Sequence, residues 1–153
     1  MTMNRTVKII GAGVLLLAAI QFFPRDHNEG KAPTGKTMAD AIPVPSNVQV
    51  IFKRSCYDCH SDHTTYPWYA QLQPVRYILD GHIRHGKDDL NFDEFGDYAG
   101  RRQRSRVRAI GESLEEGTMP LSSYTIIHRG AILTKEDKAT LLNWAKETSS
   151  TLP

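Results

Sequence analysis

The chain has two cysteines, and both stand in the run Cys56-Tyr57-Asp58-Cys59-His60. Thiols at i and i+3 with a histidine directly after them suit c-type haem attachment. The two sulfurs are spaced to add to the two vinyl groups of one macrocycle, and the adjacent imidazole is then carried under the iron. Cys56 and Cys59 are therefore expected to bind one covalent haem c, with His60 as the proximal iron ligand. The same residue types serve other chemistry, which the context disfavours. A thioredoxin-like redox pair needs a strand leading into a helix, and no strand pattern precedes Cys56. A finger-type zinc site needs two more ligands at matching spacing, whereas His82 and His85 are close together and far downstream. A disulfide scaffold would need more pairs joined over longer loops.

An iron held by His60 has a sixth position. Met119 lies in Gly117-Thr118-Met119-Pro120, just after a helix stop. A loop methionine followed by proline is held stiffly, and Met/His ligation is common in cytochromes c. The plainer reading, a methionine filling a core gap, fits a polar turn-like loop less well. His82 is the second candidate ligand, because it lies on the apolar face of its helix. His85, His63 and His128 read as surface or loop residues. Tyr66, Trp68 and Tyr69 are expected to form core and pocket wall, with the Trp68 indole N–H bonded to a propionate. A six-coordinate iron changes only its valence, which implies electron transfer and no enzyme activity. The alternative is a haem-based sensor or peroxidase-type module with a labile or histidine sixth ligand.

The elements that position these residues read as helices. Val48, Ile51, Phe52 and Ser55 recur at helical spacing after a capping Ser46 and lead into Cys56. Pro74 can open a second helix, with Val75, Ile78, Leu79 and His82 on one apolar face and Gly86 as its stop. A short turn of helix is expected within 92–98. Arg101 to Glu116 reads as a helix stopped by Gly117. Its arginines at 101, 102, 104, 106 and 108 spread over one side, opposite Val107, Ile110 and Leu114, and read chiefly as a solvated face. Thr134-Lys135-Glu136-Asp137 resembles a capping box and opens a last helix carrying Leu141, Leu142, Trp144 and Ala145. No alternating strand pattern and no internal repeat is present, so the fold class is all-α with long irregular loops. Loops that long in so small a domain usually wrap something or do something, and a haem would complete a core that is marginal on apolar burial alone.

Three segments follow. Residues 1–23 form a signal or anchor segment: Arg5 and Lys8 precede an apolar run from Ile9 to Phe23 with no small-x-small cleavage site after it. As a helix that run is about 22 Å long, against a bilayer core of ~30 Å. An uncleaved membrane anchor is favoured, with the remainder exported to the periplasmic side of the bacterial inner membrane. Residues 24–45 carry Pro24, Pro33, Pro43 and Pro45 and read as a flexible tether. Residues 46–150 are the haem domain. A formal net charge of +2 does not point to a nucleic-acid partner. The redox partner protein stays unidentified.

The ordered set of these features resembles the bacterial haem-binding-domain family of small single-haem c-type proteins. The resemblance covers about Val48 to Ala145. It rests on the haem motif followed by Tyr66-Pro67-Trp68-Tyr69, then His82-Ile83, Gly86-Lys87 and Leu90-Asn91-Phe92. It continues through Gly117-Thr118-Met119-Pro120-Leu121, Tyr124, His128 and Trp144. The Gln21-Phe22-Phe23 end of the apolar run is also similar to members with an N-terminal anchor. The resemblance implies a class I cytochrome c-like helical fold, haem bound at Cys56, Cys59 and His60, and Met119 as second ligand. The asparagine that members often carry soon after the haem motif is replaced here by Asp62 or His63.

Overall fold

The computed structural model describes residues 4–30 and 32–153; residues 1–3 of the expected anchor segment and residue 31 of the expected tether lie outside it. Among the described residues the helices are α1 (Arg5–Ile20), α2 (Met38–Ala41), α3 (Ser46–Ser55), α4 (Tyr57–His60), α5 (Val75–Asp89), α6 (Gly100–Glu116), α7 (Ser122–Thr125) and α8 (Lys135–Thr151). Single turns of 3-10 helix form at Trp68–Gln71, Phe95–Asp97 and Arg129–Ala131. No strand forms among the described residues; extended backbone pairs only in the isolated bridge between Glu29 and His63. The all-α expectation holds.

Local chemistry sets the helix ends. Pro45, not Ser46, is the cap of α3, and Ser46 is its first helical residue. α6 stops where Gly117 takes φ 69°, a left-handed conformation that a Cβ would disfavour. In α8 the Thr134 hydroxyl accepts from the Asp137 N–H while the Asp137 carboxylate accepts from the Thr134 N–H, the capping box expected there.

The core lies where α3, α6 and α8 meet. Val48, Ile51 and Phe52 of α3 pack with Val107 and Leu114 of α6 and with Leu141, Trp144 and Ala145 of α8. The Phe52 ring sits 4.8 Å from Phe92 and 5.2 Å from Trp144, the latter edge-on. Each fully buried side chain of this size contributes ~1.5–3 kcal/mol. Trp144 satisfies its indole by donating to the Pro43 carbonyl at 3.1 Å.

α5 departs from the expected face. Its buried residues are Arg76, Asp80, Ile83 and Gly86, while Val75 and Ile78 are exposed. Pairing makes this possible: Arg76 Nε donates to Asp80 at 2.7 Å, and its guanidinium lies 3.8 Å over the Tyr66 ring. Paired and stacked charge can be buried where an isolated charge could not. Gly86 does not stop the helix, which runs to Asp89. It is the point of closest approach to α4, because a Cβ there would meet the Cys59 carbonyl oxygen at 2.7 Å.

The segment expected to be a tether lies along the domain. Met38 and Ile42 are buried in the core. Gly30 N–H donates to Asp62 O at 2.9 Å, Thr64 N–H to Asn28 O at 2.7 Å, and Met38 N–H to Phe92 O at 2.8 Å. The prolines remove periodicity without removing backbone bonding partners. Upstream, α1 has no buried residue. No helix among the described residues is long and apolar enough to cross a membrane. Gln21, just after α1, makes reciprocal bonds with the backbone of Gln73, at 3.2 and 3.0 Å.

Candidate functional site

Cys56 closes α3 and opens α4. Its carbonyl accepts from the N–H groups of Cys59 at 3.2 Å and His60 at 3.1 Å. This single turn holds Cys56, Cys59 and His60 on the wall of one cavity of about 520 Å³, within the range of cofactor sites. Both thiols are free and half-buried. Burial, with the neighbouring Cys59 adding to it, pushes the Cys56 thiol up to about 12. Burial and the charge of Asp58 push Cys59 up to about 11. Both therefore remain protonated near neutral pH, unlike the stabilised thiolate of a redox pair.

His60 is oriented from behind. Its Nδ1 lies 3.0 Å from the Leu90 carbonyl oxygen. A carbonyl only accepts, so Nδ1 carries the proton and Nε2 of the neutral ring keeps its lone pair. Such a bond to the second ring nitrogen is usual for a histidine that ligates a metal. The backbone reinforces it, because Phe92 N–H donates to His60 O at 2.8 Å.

Met119 lines the same cavity. Its loop folds back on the end of α6: Thr118 and Met119 N–H groups both reach the Ser113 carbonyl, at 3.0 and 3.4 Å. The Met119 side chain is 37% exposed, so it is no core gap-filler. His82 and His85 also line the cavity, on the face of α5 opposite its buried ion pair. His63 and His128 do not line it. His63 is bonded to the Gly30 carbonyl at 3.0 Å. His128 stacks on Tyr124 at 4.1 Å and meets the Tyr69 hydroxyl at 2.5 Å. Trp68 does not form pocket wall: it is 79% exposed and lies outside the cavity, since its turn is anchored through the buried Ala70 instead.

Asp62, noted as a departure from the resembled pattern, stands behind the motif and outside this cavity. Its carboxylate accepts from Asn91 at 2.9 Å and pairs with Lys87 at 2.7 Å, and Thr34 also donates to it. Burial opposes its ionisation, but these bonds outweigh burial and hold the carboxyl at about 2.

The sequence reading gives no pocket role to several wall residues, Tyr124 and Arg106 among them. Tyr124 donates to Asp58 at 2.6 Å, and burial together with that bond raises its phenol well above the usual range. Arg106, grouped with the solvated arginines, also lines the cavity. The missed signal is its spacing to Ile110 and Ser113, i+4 and i+7, which puts it on the cavity edge of α6.

A haem fits these residues. The wall is mostly apolar, two thiols and an oriented imidazole converge on it, and a thioether stands on a separate loop. Three buried side-chain polar atoms lack a partner among the described residues, and two of them, Ser55 Oγ and Arg106 Nε, belong to residues lining this cavity. The family model described as a haem-binding domain matches residues 15–147. No curated protein and no solved structure gives a match.

Proposed function

The chain belongs to the haem-binding-domain family, and from that premise we propose that it is a single-haem c-type electron-transfer protein of the bacterial envelope. Haem is the cofactor. In this reading the fold is a class I cytochrome c-like domain closed around one covalent haem. The observation that carries it is the arrangement at one turn: Cys56 and Cys59 beside His60, whose Nδ1 is held by Leu90 O at 3.0 Å so that Nε2 is free to ligate. Each thiol S–H would add across a vinyl C=C, sulfur to one carbon and hydrogen to the other, so nothing is lost from protein or cofactor. When bound, haem would supply one-electron exchange between ferric and ferrous iron. His60 and Met119 would hold the iron, and the apolar wall from Phe52 to Leu141 would exclude water. An iron with both of those ligands would have no open site for turnover, so we read the protein as a carrier and not as an enzyme.

A second reading is favoured by His82 and His85, which line the same cavity as Met119. If one of them ligates, or if the sixth ligand is labile, the protein is a haem-based sensor or peroxidase-type module. Carbon monoxide binding to the reduced protein at neutral pH separates the two.

The test of covalent attachment is intact mass with an absorption spectrum. Protein matured with a cytochrome c system should carry the mass of one haem and keep it through acid–acetone extraction. Haem that extracts freely sinks the covalent reading. The exposed apolar residues of α1 support a domain held at the periplasmic side of the inner membrane by an uncleaved N-terminal segment. A soluble form that starts near Pro24 in N-terminal sequencing would remove the anchor.

A further inference from the structure

Arg106 is the unexplained residue of the cavity wall. Its Nε is buried and has no hydrogen-bond partner among the described residues. The nearest carboxylate, Asp89, stands 3.9 Å from its Nη1, too far for a hydrogen bond, and is itself mostly exposed. A buried guanidinium N–H without an acceptor is left with its desolvation cost uncompensated. The other arginines of α6 are placed differently. Arg104 donates to the Leu152 carbonyl at 2.9 and 2.6 Å, and Arg108 pairs with Glu112 at 2.7 Å. Arg106 is the α6 arginine that reaches the cavity.

We propose that Arg106 is a carboxylate-binding subsite of this cavity and takes a haem propionate through its buried Nε–H. The inference rests on the haem reading. The chemistry is specific: Nε–H with one Nη–H presents the parallel pair of donors that a carboxylate matches. Asp89 stands on the Nη side, and Nε is left for a second anion. With the thioethers holding one edge of the macrocycle, an arginine on α6 holding the propionate edge fixes its rotation in the plane. Arg106 is thus a positioning residue that also places a positive charge beside the redox centre.

The experiment uses the full chain matured with haem and compares Arg106→Gln, Arg106→Lys and Arg108→Gln. Arg108 is the matched control, on the same helix with a side chain 74% exposed. Haem content is read first, then the propionate bending bands by resonance Raman, then the midpoint potential. Arg106→Gln should load haem, shift the propionate bands and lower the potential, because a nearby cation favours the ferrous state. Arg106→Lys should recover much of the potential but not the band position, since lysine lacks the fork. Arg108→Gln should leave both unchanged. If Arg106→Gln fails to accumulate, the band shift in Arg106→Lys carries the test. Unmoved bands in a haem-loaded Arg106 variant, or an equal shift in Arg108→Gln, overturn the subsite alone. A wild-type protein without haem overturns the haem reading and the subsite with it.

Discussion

At the scale of single residues, function depends on which atoms are left free. His60 is useful because the Leu90 carbonyl accepts a hydrogen bond from its Nδ1–H, which leaves the Nε2 lone pair unused. Met119 is accessible because its loop is tied to Ser113 and not packed into the core. A thioether ligand raises the potential, so the oxidised wild type should show the weak far-red sulfur-to-iron band. Met119→Ala should abolish that band, lower the potential and admit carbon monoxide, whereas Met119→His should stay six-coordinate at lower potential. If Met119→Ala leaves the spectrum intact and His82→Ala opens the iron, histidine is the ligand. Asp62 has a different role. Its carboxyl is held at about 2, below the ordinary 3.8, so the folded state binds fewer protons than the unfolded one. That contributes about 2 kcal/mol of stability above roughly pH 4, lost as pH falls towards 2. Asp62→Asn should be less stable than wild type at pH 7, with the gap closing near pH 2.5 in urea titrations. A gap independent of pH would show that the charge of Asp62 is not the cause.

At the scale of elements, the haem turn is held by what α5 lacks. Gly86 brings α5 against the backbone of Cys59, where a Cβ would stand 2.7 Å from the carbonyl oxygen. Backbone cannot swing aside as a long side chain could. Gly86→Ala gains ~1 kcal/mol of helix propensity, but overpacking of this kind costs about 1–3 kcal/mol. The net result should be destabilisation together with poorer haem attachment, because α4 must shift. The check is a thermal melt alongside haem content per chain; a variant that melts higher and loads fully would mean that α5 yields easily. The opposite face of α5 illustrates the same economy of contact. Arg76 and Asp80 hold the helix down by a buried ion pair, which turns His82 and His85 towards the cavity.

At the scale of the whole molecule, residues 24–45 close the domain. Met38 and Ile42 reach the core, and the backbone from Asn28 to Met38 bonds to the loops after the haem turn. A chain beginning at Ser46 would lose both side chains, about 3–6 kcal/mol at the usual value of each. It should melt well below the full chain and load haem poorly, as thermal circular dichroism and haem content would record. Equal melting of the two would mean that the segment is the free tether its composition implies. The Gln21–Gln73 bonds extend the same strap to the end of α1. An anchored domain would then be held near the end of its anchor instead of ranging over the length of a coil.

Much of this was legible in the residues alone. The haem turn is local: two thiols and an imidazole within five residues suffice to state its chemistry, and helix ends at Gly117 and Thr134 depend on neighbours in the chain. Helical periods in α3, α6 and α8 were readable for the same reason, since burial there follows ordinary apolar patterning. Tertiary structure decided the rest. Whether Arg76 and Asp80 are buried, whether Arg106 faces a cavity, and whether Trp68 is inside or outside depends on partners far along the chain, which periodicity does not contain. The same holds for the strap, whose prolines mark it as aperiodic but do not say that Asp62, Phe92 and Trp144 will receive it. Composition measures how polar a segment is; only the fold determines which of its polar atoms find a partner and which, like Arg106 Nε, are left for something else.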